Sequence, residues 1–450
     1  MLIFRVFIVS IFLVVLQSCS YNPDEKEKSI DLDEINRRGK LIVLTENSSL
    51  SYYEYREKKL GFEYEILDSF AKKMNLPLEI KVVSESDKLV KYLKDGEGDI
   101  IAANLSVSLS NVQDIKFTTS HYSSPQVLIQ RKGKKINSVQ ELNKKTVYVR
   151  KNSSFQKRLE YLEDEIGIDI DIKVYEEDPI TEDLIELVDA GEIDFTVAHE
   201  NLARISKDLY ENIDVSLVLS FPQKLAFGLR NSSEDLKIKL DQFLSVYIRS
   251  EAFSKLKKRY FDYAVSELPV NFIPKKGKLT PFDKSFQNVV KDSGWDWKLL
   301  AAIAQKESNF NPQARGMGGS FGIIQFMPAT GRKYGISPSS SVEQQLIAGM
   351  KLLSSSMDDW NKIPDMTQRV KFTLASYNAG RCHIEDAQRL AKKLNLNPLI
   401  WDGNVEKAVL KLRNSNYYRL PIVKCGAYRG HAAFYVRRIF EIYNGYKAMN

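Results

Sequence analysis

Glu307 is the acid whose surroundings point most directly to chemistry. It ends the stretch "WDWKLLAAIAQKES", where Leu300, Ile303 and Ala304 fall along one helical face. Glu307 follows Ile303 by four residues and Ala304 by three, so it shares that face. A carboxyl on an apolar face is costly to ionise. Desolvation favours the protonated form of such a group, which is how a carboxyl serves as a general acid near neutral pH. Taken alone, the segment also fits a fraying helix end that turns Glu307 to water. The residues that follow favour the first reading. "NPQARGMGGSFGIIQFMPATGRKYG" is rich in glycine and carries Pro312 and Pro328, yet its "FGIIQFM" is bulky and apolar, so it is a shaped loop. Gln325 and Met327 alternate along it, which predicts an amide and a thioether on one wall of a cleft. Farther on, "FTLASYNAG" reads as a helix ending at Gly380, with Tyr377 and Asn378 near its C-terminus, and "GHAAFYVRRIFEIY" is a last helix bearing Tyr435. One acid with amides and aromatic rings around it describes a carbohydrate cleft, because sugars stack on planar apolar faces and bond to amides and hydroxyls.

From Ser308 through Val342 there is no Asp or Glu, and the next acids are Glu343, Asp358 and Asp359. Ordinary glycosidases use two carboxyl groups, so the spacing favours a reaction that needs one. The chain has four His, none in a ligand-spaced cluster with Cys or acids, so neither a metal nor a cofactor is expected. The net charge of +7 is spread along the sequence without a compact basic block interleaved with aromatics, which argues against nucleic acid.

These groups need elements to hold them, and the 450 residues divide into unlike regions. After Pro281 the pattern is almost all helix. From Leu41 to Tyr263, short β-branched runs alternate with helical stretches. "KLIVLT" and "LEIKVV" read as strands, "GFEYEILDSFAKKMNL" as a helix with Phe62, Ile66, Phe70 and Met74 in register, and "GDIIAANLSV" as a strand. A second series runs from "KTVYVRKNSS" to "ITEDLIELVDAGEIDFTVAH". An α/β pattern used twice, with a returning strand at "QKLAFGLR", predicts two lobes joined by two crossing segments near Val127 to Arg131 and Gln223 to Leu229. The expected fold class is a two-lobed α/β module followed by a mainly α-helical domain. The boundaries are a module at 39–268 (lobe 1 at about 39–128 and 226–268, lobe 2 at about 132–222), a Pro-rich linker at 269–281 and a helical domain at 282–450.

The first twenty residues, "MLIFRVFIVSIFLVVLQSCS", carry Arg5 and then an apolar run to Leu16, which has the length of a signal-peptide core. Leu16-Gln17-Ser18-Cys19 resembles a bacterial lipobox. Cys19 would then carry the lipid, residues 1–19 would be the signal and residues 20–38 a tether, with an uncleaved anchor as the alternative. Either places the chain at a membrane, facing the periplasm, and Ser20 after Cys19 favours the outer membrane. Of the remaining cysteines, Cys382 and Cys425, an oxidising envelope permits a bridge, and two buried thiols are the other outcome.

Two resemblances follow from these residues. "GFEYEILDSFAKKMNL … GDIIAANLSVSLSNVQDIKFTTSHYSSPQVLI" resembles the periplasmic solute-binding proteins that capture amino acids, a family whose lobes close on a ligand. Two of that family's anchors differ here. Asn111 stands where an Arg usually pairs with the ligand carboxylate, and His199, or Glu200 with a shift of one, stands where an Asp usually holds the amino group. These departures argue against a free α-amino acid, and His199 is either a ligand contact or a strand-end histidine. The second resemblance is to soluble-lytic-transglycosylase-type lysozyme-like domains. It rests on Glu307-Ser308-x-Phe310-Asn311-Pro312, on Gly319-x-x-Gly322-Ile323-Ile324-Gln325-Phe326-Met327-Pro328, and on Ala375-x-Tyr377-Asn378-Ala379-Gly380, in order. The fourth motif, "YRGHAAFYVRRI", fits in part, with His431 and Ala432 where acidic or small residues are commoner.

With the lipobox in front, the whole chain is similar to the membrane-bound lytic murein transglycosylase F family. That resemblance implies cleavage of peptidoglycan glycan strands without water, with Glu307 catalytic and Ser308, Gln325, Met327, Tyr377, Asn378 and Tyr435 holding the glycan or the acid. It also implies a module that takes a muropeptide or related solute and regulates the enzyme. A lysozyme-type hydrolase and a catalytically silent glycan-binding sensor are the competing readings.

Overall fold

The alternation of β-branched runs and amphipathic stretches folds as two α/β lobes, and the helical pattern beyond them folds as a separate all-helical body. The computed structural model describes residues 29–56, 58–107, 114–175, 179–210, 212–261 and 277–449. Cys19, Asn111 and most of the 269–281 linker lie outside the described residues.

Leu32–Arg38, expected within the tether, is a helix whose Ile35 is buried in the core of lobe 1, and the strands of this lobe are β1 (Leu41–Thr45), the hairpin strands β2 (Tyr53–Tyr55) and β3 (Lys58–Leu60), β4 (Leu78–Val82), β5 (Ile100–Ala102) and β6 (Lys116–Phe117). The chain then crosses through β7 (Tyr122–Ser124). Lobe 2 contains β8 (Gln126–Arg131), β9 (Thr146–Val149), β10 (Asp171–Val174), β11 (Phe195–His199) and β12 (Ile213–Asp214). The chain returns through β13 (Gln223–Leu225) to β14 (Gly228–Leu229), which closes the first sheet. The two five-stranded sheets run β4-β1-β5-β14-β6 and β10-β9-β11-β8-β12. In the first, Val43 pairs in parallel with Ile80 on one side and Ile100 on the other. Every residue of β1 is buried, as a parallel strand covered on both faces requires.

The crossing differs from the sequence expectation. All of Gln126–Arg131 belongs to lobe 2, where Val127 to Gln130 pair with β11. The first crossing segment is instead β7, while the second, β13, falls within the expected Gln223 to Leu229; the two pair antiparallel with Leu225 opposite Tyr122. The apolar run "VLIQ" is a central strand, and a central strand cannot also be a hinge.

In the helical body, the helix Trp297–Ser308 opens with Asp296, whose side chain accepts from the Lys298 N–H, and ends at Asn309 in the left-handed region at φ 49°. Its Leu299–Ala304 face is buried among Phe286, Phe326, Phe372, Trp401 and Ile439, and side chains of this size contribute about 1.5–3 kcal/mol each when fully buried. The helices Met366–Ala379 and His431–Ala448 pack beside it. Cys382 and Cys425 are joined as a disulfide, with Cα atoms 6.1 Å apart. Asp386 fixes the same loop by accepting the N–H groups of Lys424 and Cys425, each at 2.8 Å.

Both lobes dock on the helical body, through contacts that include the following. The β2–β3 hairpin of lobe 1 reaches the Glu307 helix, and its Glu54 meets His383 at 3.4 Å. Ser84 and Glu85 of lobe 1 bond Tyr418 and Ser415 at 2.9 and 3.2 Å. From lobe 2, the helix Thr181–Ala190 presents Asp183 to Arg429 at 2.7 Å and Glu186 to Arg413 at 3.1 Å.

Candidate active site

Glu307 sits on the last turn of its helix, where periodicity carries it from the buried Ile303–Ala304 face to the edge of the cleft. Its side chain is only 6% exposed. The Tyr435 hydroxyl, from the helix His431–Ala448, donates to Glu307 Oε1 at 2.6 Å. Burial and the adjacent Glu307 charge push the Tyr435 phenol well above its ordinary pKa, so it keeps its proton and stays a donor. Tyr377 lies nearly parallel to Tyr435, with ring centroids 6.5 Å apart, and its hydroxyl donates to the Ile324 carbonyl. Burial likewise raises its phenol far above the usual value.

The glycine-rich loop is locked from below. Ser308 Oγ donates to the carbonyls of Ala304 at 3.1 Å and Ile323 at 2.7 Å, tying the end of the acid helix to the loop. Gln345 is fully buried, accepts the Ile323 N–H at 2.7 Å and donates to the Ser340 carbonyl at 2.8 Å. Gly322, at φ 84°, lies so close to the Gln345 amide that a Cβ would collide with it.

The loop departs from the sequence expectation at Gln325. This residue takes the left-handed conformation, at φ 53°. Its side chain turns back into the loop, where Nε2 donates to the Gly322 carbonyl and Oε1 accepts from Ser320, both at 2.8 Å. The amide is therefore spent on the fold, and it is the backbone carbonyl of Gln325 that faces the centre. Met327 is 3% exposed and packs by Gly318, close to Leu60 of the hairpin. Asn378 is buried one residue beyond Tyr377, its Oδ1 accepting from Tyr428 at 3.4 Å. Glu307, Tyr377, Tyr435 and the Gln325 carbonyl thus converge, with Ser308 supporting them from the loop, while Met327 and Asn378 stand in the surrounding wall.

One member of the site has no counterpart in the sequence reading. Arg56, between β2 and β3, enters the centre from the module. Its Nη2 donates to Glu307 Oε1 at 2.7 Å, its Nη1 donates to the Gln325 carbonyl, and its Cζ lies 4.0 Å from the Tyr377 ring centroid. Burial disfavours charge on Arg56, but Glu307 and the neighbouring phenols outweigh it and hold the guanidinium protonated. Glu307 is the one carboxylate among the charged groups acting most strongly on Tyr55, Arg56 and Tyr377. A charged hairpin tip 251 residues away in sequence gives no local signal of where it will land.

The module has its own cleft between the lobes, a cavity of about 280 Å³ lined by Glu46, Ser48, Asn104, Arg150, Glu182 and His199 among others. Side chains span it: Arg150 of lobe 2 pairs with Glu46 of lobe 1 at 2.7 Å, Glu182 accepts the Ser49 N–H at 3.0 Å, and Asn201 meets Asn104 at 3.1 Å. His199 ends β11 on this wall, edge-on to Phe155, and burial lowers its pKa to about 4. Its Nδ1 has no hydrogen-bond partner among the described residues. Glu200, the alternative position, faces outward and pairs with Arg204 at 2.8 Å. Glu182 also lies 3.8 Å from Arg429 of the helical body, so one carboxylate touches both the cleft and the domain junction.

Comparison with known proteins agrees with this division. Residues 284–400 match the family model for the transglycosylase SLT domain, and residues 41–263 match that for bacterial extracellular solute-binding proteins, family 3. A protein of Desulfosudis oleivorans named membrane-bound lytic murein transglycosylase F is 31% identical over 98% of this chain and 97% of its own length. A protein of the same name from Photobacterium profundum is 28% identical over 98% of this chain and 87% of its own. Among solved structures, a mutant of the arginine-binding protein ArgBP from T. maritima is 19% identical, covering 51% of this chain and 98% of that one, with a TM-score of 0.46. A shared domain order and an alignment running nearly end to end lead to one conclusion: the chain belongs to the membrane-bound lytic murein transglycosylase F family.

Proposed function

We propose that this chain is a peptidoglycan lytic transglycosylase in which Glu307 acts alone as acid and base, and that its first domain holds the enzyme shut. The observation that carries the first part is a buried carboxyl with the Tyr435 phenol donating to it. The protonated Glu307 gives its proton to the oxygen between N-acetylmuramic acid and N-acetylglucosamine as the bond to C1 breaks. The muramyl N-acetyl oxygen assists from within the sugar. The Glu307 carboxylate then takes the proton of the muramyl 6-hydroxyl as that oxygen closes on C1. A 1,6-anhydro ring forms, no water is consumed, and Glu307 ends as it began. Tyr435 keeps the carboxyl oriented between the two transfers, while Tyr377 and the surrounding wall, with Ser308, Gln325, Met327 and Asn378, shape the glycan seat. Mass spectrometry of digested peptidoglycan tests this: anhydro-muramic ends are expected, reducing muramic ends alone would establish a hydrolase, and no products would leave a glycan-binding sensor.

The second part rests on Arg56. With Oε1 accepting from both Arg56 and Tyr435, Glu307 is held as an acceptor, while the first step needs a donor. Because each lobe docks separately on the helical body, rotating one lobe against the other breaks at least one set of contacts. The Glu46–Ser49 wall of the module cleft lies on the segment that leads directly into the Arg56 hairpin. A cell-wall peptide or related solute in that cleft would change the lobe angle and withdraw the hairpin. The protein works in the cell envelope. Among the described residues no helix is long and apolar enough to cross a membrane, and we assign its attachment to a lipid on Cys19, at the outer membrane.

A further inference from the structure

Arg56 occupies the catalytic centre as a ligand would. The groups of the helical body that receive it are the Glu307 carboxylate, the Gln325 carbonyl and the face of Tyr377, while the ring of Tyr55 from its own hairpin lies 4.9 Å from Cζ. Each recognises a different property of the guanidinium. The carboxylate takes its charge and one N–H. The carbonyl takes a second N–H from the other terminal nitrogen. The ring takes the flat face, at 4.0 Å from Cζ. The Nε atom has no hydrogen-bond partner among the described residues, so recognition is concentrated on the two terminal nitrogens and not on the stem. The receptor is also rigid. The Gln325 carbonyl is aimed by a left-handed backbone at φ 53°, and its side chain is locked to Gly322 and Ser320. Tyr377 is pinned through its hydroxyl to Ile324.

We infer that the catalytic centre is a guanidinium-binding site in its own right, one that takes small monosubstituted guanidinium compounds once Arg56 is withdrawn or removed. The inference rests on the reading of Arg56 as the element that shuts the site. It adds that the shutting depends on a planar, forked cation and not on the bulk of the hairpin. A bound guanidinium excludes the glycan, because it holds the carboxyl oxygen that must reach the glycosidic bond. A compact ammonium of equal charge meets the carboxylate but has neither a second coplanar donor for the carbonyl nor a flat face for Tyr377.

The test uses the full chain carrying Arg56→Ala, with Arg56→Gln as a second variant that keeps a polar side chain on the hairpin. Turnover is followed by release of anhydro-muropeptides, with millimolar ethylguanidinium or ethylammonium chloride at matched ionic strength. If the open state makes up about a tenth of the wild-type population or less, removing Arg56 raises turnover about tenfold or more. Ethylguanidinium is expected to raise the variant's KM several-fold with kcat unchanged. Ethylammonium is expected to have little effect, and the wild type to respond to neither. Equal inhibition by the two cations in a fast variant would overturn the guanidinium site and leave the gate standing. A variant no faster than wild type would instead remove the gate. The guanidinium site is then decided by melting temperature: ethylguanidinium should raise that of Arg56→Ala and leave Arg56→Ala/Glu307→Gln unmoved, and no shift in the former overturns it.

Discussion

Two clefts of the molecule, one in the module and one in the helical body, are each spanned by an arginine–glutamate pair. In the module, Arg150 and Glu46 come from the two lobes that form the cleft, so their pairing clasps its walls. In the helical body, Glu307 belongs to the cleft but Arg56 is delivered by another domain. The first pair is part of the cleft's own architecture. The second joins two domains, and on the proposed reading it leaves when they separate, before the acid works. Breaking a buried pair by removing one partner costs about 3–5 kcal/mol, so a native opening must relocate Arg56 to water and cover Glu307 with substrate. The difference teaches that a carboxylate needed for chemistry is given a counter-ion that can move, while one that holds shape is given a fixed one.

The sharpest way to break the comparison is Glu307→Gln. Turnover should fall by about a thousandfold, within the range for losing an obligatory acid–base group, while glycan binding persists. A variant with near-normal release of anhydro products would place the chemistry elsewhere. A smaller, opposite effect is expected from Arg429→Ala. The Nε and Nη2 of Arg429 have no hydrogen-bond partner among the described residues, and its hold on lobe 2 rests on Asp183 and the more distant Glu182. Its removal should loosen the lobe 2 dock and raise basal turnover several-fold, with a larger radius of gyration by small-angle scattering. Unchanged rate and radius would confine the gate to the hairpin. The smallest effect on turnover belongs to the module cleft, where the readout is stability. His199 stays neutral when folded because burial lowers its pKa from 6.5 to about 4. Between those values the unfolded chain binds the proton and the folded one does not, so stability is lost as pH falls from about 6.5 to about 4, by up to roughly 3 kcal/mol. Hydrogen exchange in Phe195–His199 should accelerate over that window and respond less in His199→Gln. Equal slopes would show that His199 is not what titrates.

Helical periodicity is local, so the acid helix was legible from Leu300, Ile303 and Ala304, but that segment alone also fitted a frayed end, and the motifs after it were needed to put Glu307 in a cleft. The two-lobed pattern was legible for the same reason, since strands and helices alternate within short windows. The first crossing was misplaced because "VLIQ" has the apolar character of any strand, and only pairing with β11 shows that it is central. Gln325 was expected to offer its amide because alternation was read as an extended wall. A left-handed residue breaks alternation, and its signal, the crowding of Gly316, Gly322 and Ser320 around one side chain, is visible only in three dimensions. Arg56 was not legible at all, since its partners are set by how two domains dock.

The docking of both lobes has a consequence for how such chains diverge. A binding domain that only hung beside an enzyme could be exchanged by recombination for one with another preference. Here the exchanged piece would have to bring a hairpin of the right reach, an acidic face for Arg413 and Arg429, and a wall for Tyr418, all at once. Point substitution within the lobes is the change that leaves these contacts intact, and the junction, more than either cleft, is what ties the two domains into a single unit.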